Sequence, residues 1–290
     1  MKVPSRPEPA DGVPWLPTRW SWAQWWRLLR GPRAGARATA LTQRHRAPPW
    51  SGEHLARYNA ALGYAPDALP LCYPYLLAQR AQLALMLSED FPLPVLGLVH
   101  LSQRLQWLAP PDRRAALQLS TRATLLPPDA QDARQRPRLQ MEVTLSQPAG
   151  PVWQGSSLYL ARGQARPTQA RPRPAAVPPD PALPPLAQWP VARNEGWRYA
   201  RLSGDLNPIH LWDWSARLLG QRRAIIHGMH SLARALAEWQ RLQGQPPREA
   251  EIDFLRPVPL GAQLALHGEP QGRFELQCEQ ALAARGRVVA

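Results

Sequence analysis

The sequence predicts an α+β protein built from two units with one plan, a long buried helix followed by antiparallel strands. In each half of the chain, an apolar helical segment precedes several runs of period-two alternation. A proline-rich stretch lies between the two halves. The 290 residues, of which 44% are hydrophobic, are enough for two such units.

Residues 1–49 are predicted to form an arm ahead of the first unit. This arm is rich in tryptophan and arginine: Trp15, Trp20, Trp22, Trp25, Trp26, Arg27, Arg30, Arg33 and Arg37. Trp22, Trp25, Trp26 and Leu29 lie at helical spacing, which serves ordinary packing in most proteins. The alternative is that the arm lies in a membrane interface. Both interpretations stay open at this point.

The first unit is predicted to span residues 50–163. Its helix runs from Pro74 to Glu89 and is apolar nearly all round, as expected of a helix that packs on a sheet. Pro92 and Pro94 end it. Four alternating runs then predict antiparallel strands: Val99, Leu101, Leu105 and Trp107; Leu117 and Leu119; Leu139, Met141, Val143 and Leu145; Leu158 and Leu160.

Residues 164–187 are predicted to be a stiff linker, because their many prolines exclude helix and central strand. The second unit, residues 188–290, repeats the plan of the first. Its helical stripe comprises Met229, Leu232, Leu236, Trp239 and Leu242. Alternating runs follow at Ile252 and Phe254, Leu264 and Leu266, Phe274 and Leu276, and Val288.

Composition excludes several classes of protein. No apolar run approaches the ~20 residues that a bilayer requires, and Met1 to Gly12 lack the apolar segment of a secretory signal, so we expect a cytoplasmic protein. Cys72 and Cys278 form no CxxC pair or Cys/His cluster, so neither a disulfide framework nor a metal site is expected. The net charge of +14 indicates a solvated basic surface or affinity for polyanions. No nucleic-acid-binding motif accompanies it.

The segment from Tyr199 to His210, with the sequence YARLSGDLNPIH, combines features that ordinary connections rarely share. Gly204 permits a backbone conformation that other residues avoid, and Asn207-Pro208 favours a turn or a helix start. A rigid bend of this kind can aim Asp205 and His210 at one water. A carboxylate and an imidazole together suit the addition of water to a conjugated thioester.

The sequence His227-Gly228-Met229 stands where the second buried helix is predicted to begin. The backbone N–H of Gly228 would have no partner within the helix, and the positive end of the helix dipole would support it. Gly228 is therefore a candidate oxyanion donor for a developing enolate. Taken singly, Asp205 is more often a turn residue and Asn207 a helix cap, so the prediction depends on the motifs occurring together.

These motifs resemble the MaoC-like family of R-specific (type 2) enoyl-CoA hydratases and dehydratases. LSGDLNPIH, ending at His210, and RAIIHGM, ending at Met229, follow the family pattern, and FLRPVPLG at 254–261 resembles the strand and turn that come next. The resemblance implies a double hot-dog fold, in which two long helices are each wrapped by a curved antiparallel sheet. It also implies that the first half, which has no second GDxNPxH, is a degenerate partner that shapes the acyl tunnel.

By the same resemblance, the chain is a metal-free hydro-lyase that hydrates trans-2-enoyl thioesters to (3R)-3-hydroxyacyl thioesters, with Asp205, His210 and Gly228 as catalytic residues. The candidate substrate-binding residues are Ser203, Asn207, His227, Met229, Arg222 and Arg223. Coenzyme A or phosphopantetheine would enter as part of the substrate, and no separate cofactor is expected. The partner would be an acyl-CoA or an acyl carrier protein, and a homodimer stays open.

Two alternative functions remain from the sequence. One is an inactive acyl-CoA-binding scaffold whose tunnel is blocked, with the bulky Trp212 and Trp214 just past His210 as the obstruction. The other is a hot-dog thioesterase, which would release a free thiol. Association with a membrane through the arm, or with nucleic acid through the basic charge, is a further interpretation and is not the one expected.

Overall fold

The computed structural model describes residues 12–18, 38–130, 132, 135–161 and 178–290. The strands within these ranges are β1 (Ala40–Ala47), β2 (Leu98–Trp107), β3 (Leu117–Leu126), β4 (Arg138–Gln147), β5 (Gly150–Ala161), β6 (Pro185–Pro190), β7 (Glu249–Phe254), β8 (Gln263–Gly268), β9 (Arg273–Cys278) and β10 (Ala281–Val289). The α-helices are α1 (Gly52–Leu62), α2 (Tyr75–Met86), α3 (Glu195–Ser203), α4 (Asp213–Leu218) and α5 (Gly228–Gln243). A short 3-10 turn covers Pro208–His210.

All ten strands belong to one sheet, in the order β1-β3-β4-β5-β2-β7-β10-β9-β8-β6, and every neighbouring pair is antiparallel. The strands of the first half, β1 to β5, therefore lie on one side and those of the second half on the other. They meet where Ser102 to Gln106 of β2 pair with Asp253 to Glu249 of β7. This junction makes the two halves continuous through backbone hydrogen bonds.

In the first half, the sheet packs on helix α2. From Leu117 to Ala123, strand β3 alternates between buried and exposed residues, so Leu117, Leu119 and Ala123 enter the core. Trp153 of β5 is fully buried, and its indole N–H donates to the Leu71 carbonyl. This hydrogen bond provides the partner that the N–H of a buried tryptophan needs.

In the second half, the buried stripe of α5 provides the central packing surface. Leu232, Leu236 and Trp239 of this stripe are buried, and Gly244 ends the helix in the left-handed conformation with φ of 73°. Contacts between the halves also involve this helix. Tyr64 Oη donates to the Ala233 carbonyl, and Arg234 donates to the Leu62 carbonyl.

The predicted central helices appear as α2 and α5, and the predicted strands appear as β2 to β5 and β7 to β10. The structure differs from the sequence prediction at the ends of two segments. Residues 40–47 of the predicted arm form edge strand β1, and the last residues of the predicted linker belong to β6. Helices α1, α3 and α4 were not predicted. The limits of the domains stay predictions.

Most of the tryptophan-rich arm and most of the linker lie outside the described residues, including Trp20, Trp22, Trp25 and Trp26. Within the described part of the chain, no helix has the length and apolar character needed to cross a bilayer. The predicted helical stripe of Trp22, Trp25, Trp26 and Leu29 lies wholly outside the described residues.

Candidate active site

A cavity of about 950 Å³ lies between the two halves and contains the residues singled out by the sequence. The second half contributes the loop from Ser203 to His210, the start of α5 and Phe254. The first half contributes Tyr75, Gln79, Arg80, Gln82, Leu83, Met86 and residues 95–100. Both halves therefore build the site.

Asp205 follows α3 directly, in a loop whose backbone is fixed at several points. Helix α3 ends at Ser203, and Gly204 takes the left-handed conformation with φ of 78° while its N–H donates to the Ala200 carbonyl. The N–H of Asp205 donates to Ser203 Oγ at 3.1 Å. The carboxylate accepts from the Asn207 N–H at 3.1 Å and from Gln79 Nε2 at 2.6 Å. Asp205 is thus held by its own loop and by the first half.

These surroundings keep the Asp205 carboxyl ionised near neutral pH. Burial alone would raise its pKa, but the neighbouring His227 and His210 and the hydrogen bonds from Asn207 and Gln79 together hold the pKa below its usual value. The side chain retains 21% exposure, so one part of the carboxylate faces the cavity. It can therefore accept a hydrogen bond from a water or substrate there.

His210 stands at the end of the 3-10 turn that Asn207 caps through its side chain. Its Nδ1 lies 2.9 Å from the Ile225 carbonyl oxygen. Because a carbonyl only accepts, Nδ1 carries the proton and Nε2 has a free lone pair. Burial lowers the pKa of His210, against the opposing effects of Asp205 and the Ile225 carbonyl. The imidazole is therefore neutral at pH 7 and available as a base.

His227 contacts both His210 and the backbone of Asp205. Its ring stacks on that of His210, with 3.7 Å between centroids and 27° between planes. Its Nε2 lies 3.2 Å from the Asp205 carbonyl oxygen, so Nε2 carries a proton and donates it to the backbone. Burial lowers the pKa of His227 to about 3, with His210 acting in the same direction. His227 is thus neutral near pH 7, and it supports Asp205 and His210 by this hydrogen bond and by ring stacking.

One carboxylate oxygen of Asp205, one ring nitrogen of His210 and one ring nitrogen of His227 lie within 4.8 Å of one another. That separation allows the carboxylate and the His210 imidazole to contact one water at the same time.

The same three residues are also close enough together to be considered as metal ligands. A metal ion bound through His227 Nε2 would require this nitrogen to give up its proton and its hydrogen bond to the Asp205 carbonyl. The trio therefore suits proton transfer better than metal coordination.

Gly228 begins α5, where His227 takes an extended backbone conformation. Its N–H has no hydrogen-bond partner within the described residues, as expected of the first turn of a helix. A Cβ at this position would lie 2.7 Å from the Phe254 ring, so only glycine fits without a shift. The free N–H borders the cavity and can receive a thioester oxygen.

The remaining predicted residues occupy different places. Ser203 is buried beneath Asp205, Asn207 is exposed and caps the turn, and buried Met229 lines the cavity. Arg222 and Arg223 are both exposed and do not line the cavity. Arg223 instead borders a separate recess, with Trp212 and Trp214 among its walls. The tryptophans therefore do not fill the main cavity.

The residues that face the cavity from α2 were not predicted. Gln79, Arg80 and Gln82 are the polar side chains within an otherwise apolar helix, and that interruption was the available sequence signal. Arg80 and, from the second half, Arg256 are arginines that line the cavity.

Residues 177–286 match the family described as MaoC like domain. This part of the chain is a MaoC like domain. The chain is also similar to 3-hydroxyacyl-thioester dehydratase X of Mycobacterium tuberculosis, with 26% identity over 230 residues that cover 79% of this chain and 80% of the relative. The MaoC like domain contains Asp205, His210 and Gly228.

Solved structures confirm the fold beyond the MaoC like domain. The crystal structure of HtdX from Mycobacterium tuberculosis superposes with a TM-score of 0.69 at 22% identity, over 86% of this chain and all of the other. A second Mycobacterium tuberculosis protein, described as having a double hotdog fold, gives a TM-score of 0.54 at 16% identity and covers 87% of this chain and 96% of its own. The predicted α+β double hot-dog fold is confirmed.

Proposed function

We propose that the protein is a hydro-lyase that interconverts trans-2-enoyl thioesters and (3R)-3-hydroxyacyl thioesters. One observation carries the proposal: an ionised Asp205 and a neutral His210 lie within reach of one water in a cavity that the free Gly228 N–H borders. The similarity to a protein named 3-hydroxyacyl-thioester dehydratase supports the same reaction class. The R configuration is the one that the family resemblance implies.

In the hydration direction, the water lies between the Asp205 carboxylate and His210 Nε2. One of these groups removes a proton from the water as its oxygen bonds to C3 of the conjugated thioester. Negative charge moves to the thioester oxygen, where the Gly228 N–H and the start of α5 stabilise it. The proton then passes to C2, so one water supplies both the hydroxyl and the hydrogen. Dehydration follows the same steps in reverse.

The acyl chain has an apolar part of the cavity available to it. Leu83 and Met86 of α2, together with Val95, Leu98 and Val99, line this part. The thioester carrier, coenzyme A or phosphopantetheine, carries phosphate that an arginine can bind. Arg80 and Arg256 line the cavity, which makes them better candidates for that contact than Arg222 and Arg223.

The proposal is tested with trans-2-butenoyl-CoA and longer enoyl-CoA thioesters. Hydration removes the absorbance of the conjugated thioester and yields a 3-hydroxyacyl-CoA, whose configuration is read by chiral chromatography. We expect the R product and no release of free thiol. No loss of absorbance with any chain length would contradict the proposal.

Two alternatives give different results in the same assay. A thioesterase would release free coenzyme A, which a thiol reagent detects. An inactive scaffold would bind acyl-CoA without turnover. The structure gives no support to a tunnel blocked by Trp212 and Trp214, because both line the separate recess.

A further inference from the structure

Gln79 lies on α2, in the half of the molecule that lacks the catalytic motif. Its side-chain amide crosses to the other half and donates to Asp205 Oδ2 at 2.6 Å. The two residues are 126 positions apart in sequence. Gln79 also lines the cavity and is only partly buried, so the bond forms at the site itself and not deep in the interface.

Two donors of different origin therefore hold the Asp205 carboxylate. Asn207 N–H binds Oδ1 from within the catalytic loop, and Gln79 Nε2 binds Oδ2 from outside it. Two bonds to the two oxygens fix the rotation of the carboxylate about its last side-chain torsion. Without the Gln79 bond, the loop would hold one oxygen alone and the carboxylate plane could turn.

The other ionisable groups near Asp205 are uncharged at neutral pH, apart from Arg80. They are His100, His210, His227, Tyr75, Tyr159, Tyr199 and Arg80. Burial lowers the pKa of each of these histidines and raises the pKa of each of these tyrosines, so neither kind carries charge near pH 7. Arg80 approaches the backbone at Gly204 and makes no ion pair with Asp205. His227 Nε2 lies 3.9 Å from Asp205 Oδ2, which is too far for a hydrogen bond. Among the described residues, Gln79 is therefore the side chain that donates to the carboxylate.

We propose that Gln79 is a positioning residue, which holds the ionised Asp205 carboxylate in the orientation needed to bind the reacting water. This inference rests on the proposed hydration reaction. It gives the first half a direct part in catalysis, beyond shaping the acyl tunnel. Gln79 acts through Asp205 and is not itself assigned to the transfer of a proton.

Gln79→Met keeps the length of the side chain and removes the donor. We expect kcat for enoyl-CoA hydration to fall about 10- to 100-fold with little change in KM, since a hydrogen bond to a charged group is lost at the chemical step. The acidic limb of the kcat/KM profile should move up by about one pH unit, because a carboxylate that loses a donor becomes easier to protonate. A role in interface packing alone would not move this limb.

Gln79→Glu should move the pH optimum in the direction opposite to Gln79→Met. Two carboxylates at this distance share one proton, and the introduced carboxylic acid, when protonated, can still donate to Asp205. Activity should therefore persist at low pH and fall as the pH rises through the second ionisation of the pair. The pH optimum should then lie below that of the wild type.

The matched controls are Gln118→Met and Gln118→Glu, on an exposed residue of β3. Their profiles should match the wild type.

If both Gln79 variants keep the kcat and the pH profile of the wild type, the inference is overturned. The proposed function is then unaffected. Absence of hydration by the wild type would instead defeat the proposed function. In that case a double-mutant cycle of Gln79→Met with Asp205→Asn, followed by urea unfolding, still tests the contact between Gln79 and Asp205. We expect the double variant to lose less stability than the sum of the single losses, and additive losses would overturn the contact.

Discussion

Asp205 and His210 are both oriented by backbone groups. The Asn207 N–H binds the carboxylate, and the Ile225 carbonyl binds His210 Nδ1. These partners survive most side-chain substitutions, because they belong to the main chain. The backbone therefore determines which ring nitrogen of His210 carries the free lone pair. The surrounding side chains adjust the pKa of the ring.

Replacing Gly228 tests the oxyanion role at the level of one residue. In Gly228→Ala, the new Cβ would meet the Phe254 ring at 2.7 Å, so the start of α5 or the ring must shift. We expect kcat to fall about 100- to 1000-fold as the N–H moves off its target. Steady-state hydration kinetics check this result.

A compensating substitution serves as the control. Phe254→Leu removes the ring atoms that would clash and should restore much of the activity when combined with Gly228→Ala. If Gly228→Ala alone keeps wild-type kcat, the N–H of this residue is not the oxyanion donor.

The residues of the candidate site were predictable where a local motif carries them. Asp205, His210 and Gly228 lie in short segments whose turn and helix-start chemistry is readable from sequence. Gln79 was not predictable as a partner of Asp205, because their contact depends on how the two halves pack. Arg222 and Arg223 were chosen for closeness in sequence, yet the fold puts neither on the cavity wall.

At the level of elements, the junction after α3 sets the direction of the loop that carries Asp205 and His210. Gly204 ends α3 with a positive φ of 78°, and a Cβ there would lie 3.2 Å from Arg80 Nη2. Left-handed backbone is strained for residues that carry a Cβ. The conformation of this one residue therefore sets the direction of the loop that carries Asp205.

Gly204→Ala and Gly244→Ala form a matched pair for this element. Both glycines end helices with similar positive φ, but a Cβ on Gly244 meets nothing within 4 Å. Each alanine should cost about 1 kcal/mol of stability in chemical denaturation. Only Gly204→Ala should also lower hydration activity. Equal activity in both variants would show that the loop tolerates the change.

The elements with strong periodicity were predicted, and those without it were not. The long apolar stripes of α2 and α5 and the alternation in β3 and β4 follow burial on one face, which the sequence pattern reports directly. Helices α3 and α4 are short, and their boundaries depend on caps and tertiary contacts. Strand β1 was not predicted, because its inward-facing positions include the polar Gln43 and His45 and the sequence therefore shows no apolar alternation there.

At the scale of the whole molecule, burial of several histidines makes stability depend on pH. Burial lowers the pKa of His100 to about 4 and that of His227 to about 3. The unfolded chain, in which histidine titrates near 6.5, binds more protons than the folded chain between those values and 6.5. Stability is therefore fully present above about pH 6.5 and is lost as pH falls toward 4.

His100→Phe isolates one part of this effect, since the phenyl ring keeps the stacking with Tyr159 and cannot be protonated. Between pH 7 and pH 4, the variant should lose about 2 to 3 kcal/mol less stability than the wild type. Urea denaturation at several pH values measures the difference, with the values above pH 7 as the internal reference. Parallel curves for the two proteins would contradict the assignment.

The continuous sheet and the shared cavity make the protein one catalytic unit with two unequal halves. The family resemblance predicted this double hot-dog plan, including a first half without the motif. It did not predict that His54 of α1 would bind the Leu202 carbonyl, or that Gln79 would bind Asp205. A homodimer stays a proposal.

The central claim is that Asp205 and His210 act together on one water. The most direct measurement is the hydration rate of trans-2-butenoyl-CoA by Asp205→Asn and His210→Ala, with Asp90→Asn as the control on an exposed carboxylate. We predict a loss of about 100- to 10,000-fold in each site variant and an unchanged rate in the control. Wild-type turnover in either site variant would contradict the claim.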